Sequence, residues 1–348
     1  MRAATEKKPA CCWRNRERCA MRKGWLQVIR WLLSACGVMA VVAWTAAMAA
    51  EPTDKLDNFR MREGVPIQLK KVAADLYFLY DDLSSNSAFL VTDEGVLVID
   101  TRQHPAHGRD LLERIRKITD KPVKWVINTH AHGDHYYGNP AFKAAGATII
   151  AQRDVVAGMV KNEQLEFKRR RAFFKSLNLD PAEVKTVLPD VTFDSRVTLR
   201  LGGRVIEIMY LGPGQNPGDT LVYFPHARAL YVGGPFANNN WSNMSFTPSM
   251  DGWIALLEKI AAMENVALFL PGHGDVGTRE DVLDEAKLLT EVQAGVKAAI
   301  AAGLSRDEIV KTLRFPQFAN RRNYDRINVF LEALYHLYTT GKPLFPYP

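Results

Sequence analysis

The chain has 348 residues, of which 47% are hydrophobic and 24% charged, which is typical of a globular protein with one large or two smaller domains. Its formal net charge of +7 comes from the first fifty residues, which contain nine Lys or Arg and two acidic residues. The remaining chain has equal numbers of basic and acidic residues and no clustered basic stripe, which argues against nucleic-acid binding.

The cysteines are confined to the first fifty residues, at Cys11, Cys12, Cys19 and Cys36. The rest of the chain can therefore form neither a disulfide nor a thiolate metal site. The first three could belong to a metal site, but the sequence holds no matching second half of one.

Residues 1–50 have the layout of a secretory signal peptide with an extended n-region. Arg22 and Lys23 precede an apolar stretch, and Ala47-Met48-Ala49 offers a cleavage site. Translation from Met21 would remove the unusually long prefix. We therefore expect a periplasmic or secreted protein.

Two other interpretations of this segment stay open. Trp31–Ala50 is long enough to span a bilayer as an uncleaved anchor. Leu33–Cys36 resembles a lipoprotein box, although apolar residues follow it where a polar tether is expected. In all three cases the folded part lies on the non-cytoplasmic side, and no membrane contact is expected unless the anchor is retained.

After a linker at residues 51–66, strand-like and helical patterns alternate. Strands are expected at Ile67–Val72, Leu76–Tyr80, Ser87–Val91, Val96–Ile99, Val123–Ile127, Thr148–Ala151, Val197–Leu201, Val205–Leu211, Leu221–Phe224, Ala229–Val232 and Val266–Leu270. Helices are expected at Gly108–Ile118, Ala141–Ala145, Gln152–Leu179 and Met250–Met263.

Two strand-rich halves, each with helices, predict an α/β fold in which two sheets pack face to face with helices outside. The charged helix at Gln152–Leu179 could form a lid over a site. From Arg279 the pattern is almost entirely helical. We therefore expect one domain at residues 67–278 and a helical C-terminal extension at residues 279–348.

A cluster of potential metal ligands, His130-Ala131-His132-Gly133-Asp134-His135, follows the strand Val123–Ile127. On an extended backbone residues two apart point the same way, so His130, His132 and Asp134 could converge. Gly133 would permit a tight turn. Imidazole and carboxylate are the groups that zinc accepts when thiolates are absent.

This cluster resembles the His-x-His-x-Asp-His motif of the metallo-β-lactamase superfamily, and the resemblance covers residues 67–278. Supporting blocks are Val98-Ile99-Asp100, Gly138-Asn139, Gly212-Pro213-Gly214 with Pro217-Gly218-Asp219, and Pro271-Gly272-His273-Gly274. The resemblance implies a four-layer αββα sandwich.

The resemblance also implies a set of ligands. His130 and His132 would belong to a first zinc site, and Asp134, His135 and His273 to a second. Asp100 would support the site.

The sequence departs from the family pattern at two positions. Gln215 stands where the family usually has a third histidine for the first site. Gly234 stands where many hydrolases of the family have a bridging aspartate. Because a neutral amide oxygen is a poor zinc ligand, we expect one tightly bound zinc and a second bound weakly or not at all.

Four further histidines leave alternatives open. His104 and His107 follow Asp100 and could replace the third histidine ligand, or could have surface or capping roles. His226 is expected on a distant hairpin turn and His336 in helix packing.

Other residues near the cluster have two interpretations each. Asn238, Asn239 and Asn240 could include a donor to an oxyanion, or could form a polar surface loop. Tyr136 and Tyr137 could line a pocket or pack internally.

The ligand set favours hydrolysis by metal-activated water at a carbonyl, phosphoryl or sulfuryl centre. In lacking the bridging aspartate the chain is similar to the lactam-cleaving members of the family, and this resemblance implies an amide, lactam or ester in a small molecule. Asp134 and His132 are the expected catalytic residues; with a single zinc, His130 and His132 would orient water or act as general base. The alternative is a non-hydrolytic periplasmic binding or assembly protein that retains a degenerate site. A redox di-iron role is disfavoured because the usual carboxylate ligands and a flavin domain are missing.

Overall fold

The computed structural model describes residues 67–81 and 84–345. The expected signal peptide, its two alternatives and the linker lie outside the described residues. The strands of the described part are β1 Ile67–Lys71, β2 Leu76–Asp81, β3 Ser87–Thr92, β4 Gly95–Ile99, β5 Val123–Asn128, β6 Thr148–Gln152, β7 Val191–Phe193, β8 Arg196–Leu201, β9 Arg204–Tyr210, β10 Thr220–Phe224, β11 Ala229–Ala237 and β12 Leu268–His273.

The α-helices of the described part are α1 Pro105–Arg116, α2 Gly133–Tyr136, α3 Asn139–Ala144, α4 Arg153–Ser176, α5 Met250–Ala261, α6 Arg279–Ala301, α7 Arg306–Thr312 and α8 Ile327–Thr340. Among the described residues, none of the helices combines the length and apolarity needed to cross a membrane.

The strands form two sheets. The first has seven strands in the order β1 to β7, with antiparallel pairing from β1 to β4 and parallel pairing from β4 to β7. The second has five strands in the order β12-β11-β10-β9-β8, of which only β11 and β12 pair in parallel.

Apolar side chains from both sheets meet in a central core that includes Phe78, Ile99, Val222 and Phe224. The outer face of the seven-stranded sheet packs against α1 and α3, and that of the five-stranded sheet against α5, α6 and α8. This arrangement confirms the expected α/β fold with four αββα layers and helices at the C-terminus.

The sequence-based element bounds were wrong in three places that affect the site. Helix α2 was not anticipated, and β11 continues through Gly233 and Gly234 to Ala237. Strand β12 runs on to His273, so this histidine belongs to the strand end. Strand β7 was also missed, because three residues are too few for an alternating pattern to stand out.

The C-terminal helices attach to the sheets through the loop after β11. The Trp241 ring stacks on Phe330 with centroids 6.2 Å apart, and its indole N–H donates to the Phe318 carbonyl at 3.3 Å. The Arg321 guanidinium donates to the Glu285 carboxylate at 2.6 Å. The helices therefore share a core with the five-stranded sheet.

Candidate metal centre

The candidate ligands come from three places along the chain. The motif His130–His135 follows β5, Gln215 lies between β9 and β10, and His273 ends β12. All are buried except His273, which is partly exposed. The fold brings these segments to one end of the two sheets, where the ligands form two adjoining groups.

The first group is formed by His130 and His132. Nε2 of His130 lies 3.1 Å from Nδ1 of His132. The other ring nitrogen of His130 lies 3.0 Å from the Thr129 hydroxyl. A tetrahedral zinc ion with bonds of about 2.0–2.1 Å holds its ligand atoms about 3.3–3.4 Å apart, so this spacing fits such an ion.

The second group is formed by Asp134, His135 and His273. Oδ2 of Asp134 lies 3.3 Å from Nε2 of His273 and 3.9 Å from Nε2 of His135. The two imidazole Nε2 atoms are 3.4 Å apart. The donor types and spacings of these three residues fit a zinc ion that they would hold together.

Asp100 contacts the second group directly at His135 and the first group through Thr129, which contacts His130. Its Oδ2 lies 2.7 Å from Nδ1 of His135 and accepts a hydrogen bond of 2.7 Å from the Thr129 hydroxyl. A hydrogen bond to Nδ1 leaves the Nε2 lone pair of His135 directed at His273. Burial raises the pKa of Asp100 to about 7, although His130 and the hydrogen bonds from Thr129 oppose this effect.

The backbone of the motif is extended only as far as His132. Asp134 lies on the first turn of α2, so the expected alternation of side chains past His132 was wrong. Gly133 is needed for close packing and not for a left-handed turn, because a Cβ atom there would lie 2.3 Å from the Tyr137 ring. The short helix turns Asp134 away from the first group and towards His273.

Helix α4 supplies two site residues that the sequence did not reveal. Arg170 donates to Oδ1 of Asp134 at 2.6 Å and to Oε2 of Glu166 at 3.0 Å. Glu166 also accepts a hydrogen bond of 2.9 Å from the Gly133 amide. The only sequence signal was the expectation that this charged helix could cover the site.

The charges at the centre suit metal binding. Burial lowers the pKa of His130 and His132 well below 6.5 and that of His135 to about 3. Burial by itself would raise the pKa of Asp134, but Arg170, His135 and His273 outweigh it and hold this pKa well below 3.8. At neutral pH the rings of His130, His132 and His135 are therefore neutral and the Asp134 carboxylate is ionised, as metal ligands must be.

Gln215 and Gly234 are neighbours in the structure. A Cβ atom on Gly234 would lie 2.5 Å from Oε1 of Gln215 and 3.1 Å from Cε1 of His130. Gln215 is buried, and its Oε1 accepts a hydrogen bond of 3.2 Å from the side-chain amide of Asn216. Both departures from the family pattern thus lie beside His130, in the first group.

His104 and His107 belong to neither ligand group found among the described residues. Nδ1 of His104 accepts a hydrogen bond of 3.1 Å from the Ala106 amide at the start of α1, so the capping alternative is the one observed. Burial lowers the pKa of His107 to about 2. Replacement of the third histidine ligand by either residue is thus not supported.

The asparagines after β11 have structural partners. The Asn238 side-chain amide donates to the carbonyl oxygens of Asp275 and Val276, which favours the interpretation as a polar loop. Asn240 accepts a hydrogen bond of 2.8 Å from Asn323 in the C-terminal part. These side chains thus hold neighbouring loops together.

Two further expectations concern residues outside the ligand groups. Tyr136 and Tyr137 are buried in an apolar cluster with Phe174, as expected for internal packing. His226 lies on the turn between β10 and β11, 2.9 Å from Asp75, also as expected.

The sequence of the chain matches a known protein family and several of its members. The sequence model of the metallo-beta-lactamase superfamily matches residues 80–273, more than half of the chain. A linear primary-alkylsulfatase from a Pseudomonas species is 24% identical over 259 residues, which are 64% of this chain and 48% of the relative. A type 2 metallo-beta-lactamase from Elizabethkingia meningoseptica is 23% identical over 272 residues, which are 75% of this chain and 100% of the relative.

Solved structures show the same fold. The stereoselective inverting sec-alkylsulfatase from a Pseudomonas species has a TM-score of 0.64 at 18% identity, with coverage of 81% of this chain and 52% of that one. A metallo-beta-lactamase from Pontibacter korlensis has a TM-score of 0.53 at 19% identity, with coverage of 64% and 99%.

The chain spans about half the length of these two alkylsulfatases and nearly the whole length of these two lactamases. Both kinds of relative are hydrolases, which supports a metal-dependent hydrolase as the general class. By its sequence match and its four-layer fold, this chain belongs to the metallo-β-lactamase superfamily.

Proposed function

We propose that this protein is an exported zinc-dependent hydrolase that cleaves an amide, lactam or ester bond in a small molecule. The observation that carries the proposal is the convergence of one carboxylate oxygen and two imidazole nitrogens from Asp134, His135 and His273. A bound zinc ion supplies a Lewis acid and lowers the pKa of a coordinated water towards neutrality.

Asp134 is best suited to be a ligand. One of its oxygens is taken by Arg170 and the other faces His273, so neither is placed to receive a proton from substrate or water. We therefore propose Asp134 as a metal ligand and not as a general acid or base, a role that an aspartate can also have.

His132 is the proposed proton acceptor when a single zinc is bound. Nδ1 of His132 and Nε2 of His130 lie 3.1 Å apart, so the N–H of one neutral ring can donate to the other. Nε2 of His132 is buried without a hydrogen-bond partner among the described residues, and it is the nitrogen that would take a proton from the attacking water. Because burial lowers the pKa of His132 well below 6.5, the ring would pass this proton on to the leaving group. With a second zinc, Nε2 of His130 and Nδ1 of His132 would be its ligands, and Gln215 or water would complete the set.

Two observations bear on the substrate. The sequence likeness to a linear primary-alkylsulfatase supports a sulfate ester among the candidate esters. The likeness to two metallo-beta-lactamases covers nearly their whole length, which supports a lactam or amide. Reporters of both substrate classes are therefore included in the experiment described below.

Export to the periplasm or the medium is part of the proposal. It is supported by the order of basic, apolar and small residues in residues 21–50. The second candidate function is a non-hydrolytic binding protein, and the specific observation in its favour is the loss of two family ligands at Gln215 and Gly234.

The deciding experiment measures zinc per chain by elemental analysis and turnover of chromogenic lactam, carboxylic ester and sulfate ester reporters. We expect at least one tightly bound zinc and hydrolysis of at least one reporter that a chelator abolishes and added zinc restores. Tight zinc without turnover of any reporter would favour the binding protein. A chain that binds no zinc would overturn the proposal.

A further inference from the structure

Helix α4 reaches the metal centre through a charged pair outside the family motif. Glu166 is fully buried and the Arg170 side chain is 19% exposed. Nη2 of Arg170 donates to Oδ1 of Asp134 at 2.6 Å, while Nε donates to Oε2 of Glu166 at 3.0 Å. One guanidinium group thus connects the helix to a candidate metal ligand.

The two oxygens of Asp134 have different partners. Oδ1 receives the Arg170 hydrogen bond, and Oδ2 lies 3.3 Å from Nε2 of His273. The terminal torsion of an aspartate side chain is broad, so packing alone does not fix whether one oxygen or both oxygens of the carboxylate face the centre. The ion pair with Arg170 fixes this choice.

Arg170 is itself held in place. Oε2 of Glu166 accepts from Arg170 and from the Gly133 amide at 2.9 Å, and Oε1 accepts from Arg169 at 2.8 Å. A buried carboxylate with these partners has little freedom to move. The chain of contacts runs from the backbone of the motif, through Glu166, to Arg170 and back to the side chain of Asp134.

We propose that Arg170 is a positioning residue of the metal centre. It occupies Oδ1 of Asp134 and thereby presents Oδ2 as a single, oriented ligand atom to the position shared with His135 and His273. This proposal rests on the zinc function proposed above, and it assigns to α4 a part in metal binding beyond covering the site.

The test compares Arg170→Met and Arg170→Lys with the wild-type full-length protein. Arg171→Met is the matched control, because Arg171 is an exposed arginine on the same helix. Affinity for the tight zinc is measured by competition with a chromogenic chelator at neutral pH. The absorption spectrum of the Co²⁺-substituted protein reports the ligand geometry independently of activity.

We expect Arg170→Met to weaken the tight zinc by about 10- to 100-fold, the usual effect of removing a partner that orients a ligand. Arg170→Lys should fall between Arg170→Met and the wild type, because an ammonium keeps the charge but cannot bond Asp134 and Glu166 with one planar fork. The Co²⁺ spectrum should change in both variants and stay unchanged in Arg171→Met.

Wild-type affinity together with a wild-type Co²⁺ spectrum in the Arg170 variants would overturn the role of Arg170 and leave the zinc function standing. Failure of the wild-type protein to bind zinc would instead refute the proposed function. If Arg170→Met does not fold, Arg170→Lys decides alone: an altered spectrum in a folded protein supports the proposal, and an unaltered one with full affinity overturns it.

Discussion

The side-chain amide oxygen of Gln215 lies 2.5 Å from the position that a Cβ atom on Gly234 would occupy. The same position is 3.1 Å from the His130 ring. The two residues that replace family ligands therefore share one space beside the first ligand group. Substitutions at the two positions should consequently affect each other, since residues in contact rarely have additive effects.

Gln215→His should raise the affinity for a second zinc by at least about tenfold, or roughly 1.4 kcal/mol. An imidazole donates more electron density to zinc than an amide oxygen does, and it would complete a set of three with His130 and His132. Competition with a chromogenic chelator near neutral pH measures the change. The gain should fade only well below pH ~6.5, because burial lowers the pKa of the neighbouring His130 and His132 and protonation of the imidazoles competes with the metal.

The control for this substitution is Gln317→His, which introduces the same residue at an exposed position between α7 and α8. It should leave zinc affinity unchanged. If Gln215→His also has no effect, Gln215 does not face the metal, and its placement at the family's third-histidine position is incorrect.

Gly234→Ala should destabilise the metal-free protein by about 1–3 kcal/mol, as is usual when a methyl group enters a filled space. Gly234 does not have a positive φ, so the cost arises from contact with Gln215 and His130 and not from the backbone. Urea unfolding measures it. In a Gln215→Ala background the cost should shrink by at least about 0.5 kcal/mol; strictly additive effects would show that the two side chains do not compete.

His273→Ala should remove the tightly bound zinc and abolish hydrolysis, because it takes away one of three ligands in the second group. Zinc content after dialysis and reporter turnover are the measurements. His226→Ala is the control, since His226 pairs with Asp75 on a turn away from the ligands. A variant that keeps its zinc after loss of His273 would contradict the assigned ligand set.

Arg321→Met should destabilise the protein by about 3–5 kcal/mol, because it leaves a buried carboxylate without its cation. Glu285 is 1% exposed, and Arg321 pairs with it at 2.6 Å. Arg306→Met is the comparison, since Arg306 pairs with Asp307 at the surface and its loss should change stability little. Equal denaturation midpoints for both variants would show that the buried pair does not anchor the C-terminal helices.

Export predicts a processed chain. Mass spectrometry of the periplasmic or secreted protein should find an N-terminus near Ala50, after the Ala47-Met48-Ala49 site. An N-terminus that begins at Cys36 would indicate a lipoprotein, and an uncleaved chain in the membrane would indicate an anchor. Recovery of the intact chain from the cytoplasm would refute export.

The sequence by itself determined most elements of the fold and the principal candidate ligands. Alternating and helical apolar patterns locate the two sheets and their helices, because those patterns repeat over a few residues. His130, His132, Asp134 and His135 are recognisable because they lie within six residues of one another. His273 became recognisable only through its block of family residues, far along the chain.

The tertiary structure decided what surrounds those ligands. Arg170 and Glu166 lie in a charged helix whose pattern resembles any solvated face, and only the packing of α4 on the motif shows that they contact Asp134 and Gly133. The shared space of Gln215 and Gly234 is likewise absent from the sequence. Contacts between distant segments depend on how whole elements pack. The local periodicity of the sequence shows which face of an element is buried but not which residues of another element it contacts.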